Sequence, residues 1–134
     1  MILVDTSVWI EFFRASGSPV HLVLRGLIDG GADLCVTEPV LMEALAGART
    51  DQEAARIRGR LLALGFLAVR GLDDYEAAAS VHRACRRAGE TPRSQIDCLI
   101  AAVAIRNDAS LLQADIDFEV IARHTPLRLK PLSN

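Results

Sequence analysis

Ile2-Leu3-Val4-Asp5-Thr6-Ser7 decides how this chain is read. Ile2-Leu3-Val4 is apolar, with two β-branched residues, and predicts a short buried strand. Asp5 stands where that strand ends. Thr6 and Ser7 then open Val8-Trp9-Ile10-Glu11-Phe12-Phe13-Arg14, whose pattern is helical. A carboxylate at the C-terminal end of an apolar strand, beside a helix start, lies where open α/β sheets bind ligands. Asp, Thr and Ser are also good helix N-caps, so this stretch alone is open to either use.

Working outward, strands and helices alternate. Pro19 suits the first turn of a helix carrying Val20, Leu24 and Leu27, which ends at Gly30-Gly31. Leu34-Cys35-Val36-Thr37 predicts a second strand, and Glu38-Pro39 opens a helix that closes near Gly47. Thr50-Asp51-Gln52-Glu53 has the form of a capping box before a helix with Ala54, Ile57, Leu61 and Leu64 on one face. Phe66-Leu67-Ala68-Val69 predicts a third strand. Asp73 and Glu76 then cap a helix with Ala78, Val81, Cys85 and Ala88 inside and Gly89 as its stop. Ser94 begins the most apolar helix, Ile96 to Ile105. Ser110 to Gln113 predicts a strand, Phe118 to Ala122 a short helix, and Leu127 to Leu129 a last strand. This alternation argues for βαβ units and an α/β fold: one domain over residues 1–134, with a mostly parallel central sheet flanked by helices.

Composition narrows the class. The chain is 51% hydrophobic but only 4% aromatic, so its core must be built from Leu, Val, Ile and Ala. The formal net charge of −2 excludes a body that clamps nucleic acid by positive charge alone. Cys35, Cys85 and Cys98 are odd in number and lack CxxC spacing, which fits small core residues in a reducing compartment. No apolar run approaches the ~20 residues of a membrane span, and the expected location is cytoplasmic.

In a parallel sheet Asp5 and Asp115 both fall on the C-terminal edge. Asp97, three residues after Ser94, sits in the first turn of a helix near that edge, and Glu43 lies in the helix after the second strand. One topology thus gathers carboxylates from distant parts of the chain. Close carboxylates repel and raise each other's pKa. A hard divalent cation, Mg²⁺ or Mn²⁺, offsets this and prefers oxygen ligands. Such sites suit phosphodiester hydrolysis. Each acid has a plain alternative: Asp97 as partner of the Ser94 cap, Asp115 and Asp117 as turn acids, Glu43 as a solvated side chain.

Ile2-Leu3-Val4-Asp5-Thr6-Ser7-Val8-Trp9-Ile10, Glu43-Ala44-Leu45-Ala46-Gly47, Asp97-Cys98-Leu99-Ile100-Ala101-Ala102-Val103-Ala104 and Leu111-Leu112-Gln113-Ala114-Asp115-Ile116-Asp117-Phe118 resemble, in order, the motifs of the PIN-domain family. The resemblance is to its VapC-type toxins of bacterial toxin–antitoxin pairs. It implies a Mg²⁺-dependent endoribonuclease. Asp5, Glu43, Asp97 and Asp115 match the family's acidic positions, as metal ligands and catalytic groups. Asp117 matches an accompanying metal ligand, and Thr6 an active-site hydroxyl that would hold Asp5 or a water. It further implies a homodimer, and an antitoxin partner whose C-terminal segment blocks the crevice and builds a higher assembly.

Arg86, Arg87 and Arg93 flank the loop before Asp97 and are candidates for RNA phosphate contacts. His21, His82 and His124 fit no metal-ligand spacing. A rival reading keeps the fold as an RNA- or protein-binding module without nuclease activity. Phosphatase and receiver readings are weaker. Position 7 is Ser where a haloacid-dehalogenase-type site wants a second Asp, and Lys130 is the one lysine.

Overall fold

Ile2–Val4 forms the middle strand of a parallel sheet. The computed structural model describes residues 1–132; Ser133 and Asn134, the end of the expected domain, lie outside the described residues. The elements run β1 (Ile2–Val4), α1 (Thr6–Phe13), α2 (Pro19–Asp29), β2 (Leu34–Val36), α3 (Glu38–Ala46), α4 (Asp51–Leu62), β3 (Gly65–Phe66), α5 (Gly71–Arg87), α6 (Gln95–Arg106), β4 (Ser110–Leu112), α7 (Ile116–His124) and β5 (Arg128–Leu129). The sheet order is β3-β2-β1-β4-β5, and every pairing is parallel. Parallel neighbours require crossover connections, and here helices supply them. Ile2 sits opposite Leu34 on one side and Ser110 on the other.

Three-residue strands suffice because they are buried between helices. Leu3, Val4, Val36, Leu111 and Leu112 are fully buried, as expected of a parallel sheet covered on both faces. On α6 every residue from Asp97 to Ala104 is buried. An all-round apolar helix is a core helix, and its small Ala residues allow α5 to pack along it. Trp9, Phe12 and Phe13 of α1 cluster with His21 of α2, and the Arg60 guanidinium of α4 lies over the Phe12 ring at 5.3 Å. The three cysteines are free and buried.

Several boundaries differ from those the sequence suggests. The third strand stops at Phe66 rather than Val69. Leu67 still donates its N–H to Val36 O at 2.8 Å, but the Val69 N–H goes to Glu38 Oε1 and Ala68 O accepts from Arg106. Side chains thus capture the backbone that would have extended the ladder. α5 starts at Gly71, ahead of Asp73, with no side-chain cap. Its neighbour Asp74 instead accepts the Arg70 N–H at 2.7 Å and a two-pronged pair from Arg106 at 2.8 Å. Ala88 is exposed rather than internal. Gly89, at φ +83°, ends the helix as expected, with the Glu90 N–H returning to Cys85 O. α7 runs past the expected Phe118–Ala122 at both ends, and β5 begins one residue late.

Candidate active site

The strand order reverses its direction of growth between β1 and β4, and the crevice at such a switch point is where open α/β sheets place ligands. The acids gather there. Asp5 follows β1 and caps α1, while Asp115 follows β4 and caps α7. Asp97 and Asp117 lie in the first turns of α6 and α7. Three helix N-termini therefore face one group of carboxylates, and their partial positive charge offsets part of the mutual repulsion.

Asp97, Asp115 and Asp117 each offer a carboxylate oxygen, and these atoms lie within 4.8 Å of one another. Asp97 is 6% exposed and Asp117 5%, whereas Asp115 is half-buried. Local bonds hold the Asp97 backbone and the Asp115 carboxylate. Ser94 Oγ accepts the Asp97 N–H at 3.3 Å, and Asp115 Oδ1 accepts the Asp117 N–H at 2.9 Å. Burial, and then the charges of Asp5, Asp115, Glu43 and Asp117, push the Asp97 carboxyl up to about 7. Burial also raises Asp5, against the lowering effect of its bonds to Ser7.

Asp5 and Glu43 act on Asp97 through charge but stand outside the close triplet. Hydrogen bonds commit both. Thr6 Oγ1 donates to Glu43 Oε1 at 2.9 Å, so the expected active-site hydroxyl holds Glu43 and not Asp5. Ser7 holds Asp5: its Oγ donates to Asp5 Oδ2 at 2.6 Å and its N–H at 3.0 Å. The same Oγ accepts the Ala114 N–H at 3.0 Å, joining the first turn of α1 to the loop after β4. Sequence reading treats Ser7 only as a possible cap. The available signal is the Asp-x-Ser/Thr form of an Asx turn, in which a serine two places on can reach back to the carboxylate.

Arg93, in the loop before α6, turns its side chain onto Asp115 and Asp117. Arg86 and Arg87 are exposed in the last turn of α5. Among the described residues neither pairs with the site's acids. His21 Nδ1 accepts the Gly17 N–H and His124 Nε2 bonds Glu90, so both serve local structure. An all-carboxylate donor set fits a hard divalent cation such as Mg²⁺ or Mn²⁺ better than a softer metal.

Comparison with known proteins places the chain. The PIN-domain profile matches residues 2–124. The chain is 46% identical over 129 residues to ribonuclease VapC11 of Mycobacterium tuberculosis and to the VapC ribonuclease Mb1587 of Mycobacterium bovis, covering 96% of this chain and 96% of each relative. Its backbone matches the structure of VapBC2 from Rickettsia felis bound to a promoter DNA fragment, with a TM-score of 0.73 at 18% identity over 97% of this chain and 98% of that one. This chain belongs to the PIN-domain family. Among the described residues no helix is long and apolar enough to cross a membrane.

Proposed function

We propose that this protein is a metal-dependent endoribonuclease, the VapC-type toxin of a toxin–antitoxin pair. The observation that carries the reading is the convergence of Asp97, Asp115 and Asp117 at the β1/β4 switch point. The 46% identity to proteins named VapC ribonucleases supports RNA as the substrate.

Asp97, Asp115 and Asp117 would hold Mg²⁺ or Mn²⁺, with Asp5 and Glu43 completing the acidic wall. When bound, a divalent cation stabilises charge on a phosphoryl oxygen and favours ionised water. The chain's own part is orientation: Ser7 holds the Asp5 carboxylate, Thr6 holds that of Glu43, the Asp117 N–H holds that of Asp115, and the Ser94 cap holds the Asp97 backbone. Arg86 and Arg87, exposed in the last turn of α5, are proposed to contact RNA phosphates, and Arg93 lies at the cluster itself. Structural neighbours solved as toxin–antitoxin complexes support a protein partner, which is proposed to cover this crevice. The active form is proposed as a homodimer.

The test is cleavage of total cellular RNA by the purified chain, with Mg²⁺, with EDTA, and with Asp97→Asn. Discrete Mg²⁺-dependent fragments, absent with EDTA and in the variant, are expected. Cleavage indifferent to both would sink the site. RNA binding without cleavage would favour the binding-module reading.

A further inference from the structure

Arg93 stands immediately before Ser94, the cap of α6, and reaches across the acidic cluster. Its Nε lies 3.3 Å from Asp117 Oδ1 and its Nη2 3.4 Å from Asp115 Oδ1. Its backbone N–H donates to Asp117 Oδ2 at 3.0 Å. Among the described residues no other basic side chain forms an ion pair with Asp97, Asp115 or Asp117. The Arg93 side chain is nevertheless 74% exposed.

We propose that Arg93 is an internal counter-ion of the site, which offsets part of the negative charge of Asp115 and Asp117 in the cation-free chain and competes with a divalent cation for their oxygens. The inference rests on the cation-site reading above. A cation shared by the triplet must draw on the carboxylates that Arg93 engages. Both oxygens of Asp117 face Arg93, one through the backbone and one through the side chain. The backbone half is fixed by the loop. The side-chain half is carried on a flexible, solvated stem, so it alone can yield.

The geometry suits a contact that gives way. Strong charge-assisted bonds are shorter, roughly 2.7–2.9 Å, and exposed ion pairs are weak. A compact divalent ion brings twice the charge closer to the same oxygens. Arg93 thus lowers the apparent cation affinity while keeping three crowded acids compatible with the folded state. It acts as a positioning residue for those carboxylates and is not required to touch the reacting atoms.

The experiment is a Mn²⁺ titration of the full chain, with free Mn²⁺ read by electron paramagnetic resonance, on wild type, Arg93→Gln, Arg93→Lys and Asp97→Asn. Arg93→Gln is expected to tighten Mn²⁺ binding about three- to tenfold. Arg93→Lys, which keeps the charge but loses the fork, falls between, and Asp97→Asn binds more weakly than wild type. In a parallel readout, the ¹⁵N resonance of Arg93 Nε moves toward that of a solvated guanidinium as Mg²⁺ is added, and holds still in Asp97→Asn. Circular dichroism checks the fold of each variant; should Arg93→Gln fail to fold, Arg93→Lys and the Nε resonance decide. Unchanged or weaker Mn²⁺ affinity in folded Arg93 variants, with Asp97→Asn still defective, overturns the counter-ion role and leaves the cation site standing. Absence of Mn²⁺ binding in wild type overturns the cation site, and the inference with it.

Discussion

Ser7 Oγ donates to Asp5 Oδ2 at 2.6 Å while accepting the backbone N–H of Ala114 at 3.0 Å. One hydroxyl thereby aims the carboxylate at the end of β1 and ties it to the loop that carries Asp115. Hydrogen bonds to a charged group contribute roughly 1.5–3 kcal/mol. Ser7→Ala should therefore lower the unfolding free energy by about 1–3 kcal/mol and slow RNA cleavage by at least about tenfold. Urea unfolding and initial cleavage rates measure the two effects. A variant equal to wild type in both would show that Asp5 does not depend on Ser7.

Arg106 and Asp74 make a partly buried ion pair at the α5–α6 interface. Asp74 is 2% exposed, and the bond from Arg106 holds its carboxyl below the usual range. Removing one partner strands the other charge. Arg106→Ala should cost about 1–3 kcal/mol of stability, and the double variant with Asp74→Ala should recover part of that loss. Denaturant midpoints give the cycle, and simple additivity would argue against coupling.

The Asp97 carboxyl makes stability depend on pH in a defined direction. Its native value of about 7 lies above the ordinary 3.8. Between these values the native chain binds a proton that the unfolded chain has released, so stability falls as pH rises through the window and levels off above about 7. Melting temperatures in EDTA should drop between pH 5 and 7.5, and Asp97→Asn should flatten that slope. Stabilisation by Mg²⁺ should grow across the same window, because a ligating carboxylate must be ionised. A melting temperature that rises with pH in EDTA would contradict the assignment.

Burial raises the thiols of Cys35, Cys85 and Cys98, the last to about 11. Since the thiolate is the reactive form, the native chain should resist alkylation at neutral pH and take up label at all three positions once unfolded. Mass spectrometry after brief iodoacetamide treatment reads this directly. Rapid native labelling at Cys98 would mean that α6 opens far more readily than its burial implies.

Local rules carry the parts of the structure that were legible in the sequence. The strand ending at Asp5, the Ser94 cap, the Gly89 stop and the alternation that gives a parallel sheet all depend on neighbouring residues. The third strand is shorter than its apolar run suggests because its continuation competes with Glu38 and Arg106, groups 31 and 38 positions away. Asp74 takes its role only when Arg106, 32 positions away, is brought beside it. Within the site, the acids were visible as residue types, but the close grouping of Asp97, Asp115 and Asp117 depends on two helix starts meeting. The division of labour between Thr6 and Ser7 depends on Glu43, 37 positions from Thr6. Periodicity does not encode such meetings.

The contact between Ser7 and Ala114 spans 107 positions of chain. Any copy cut short before β4 leaves β1 with an open edge and Asp5 without its neighbours. Under the proposed function, a chain cut short before β4 lacks Asp115 and Asp117 and so has no complete acidic site. The acidic site is complete only once the starts of α6 and α7 are both in place.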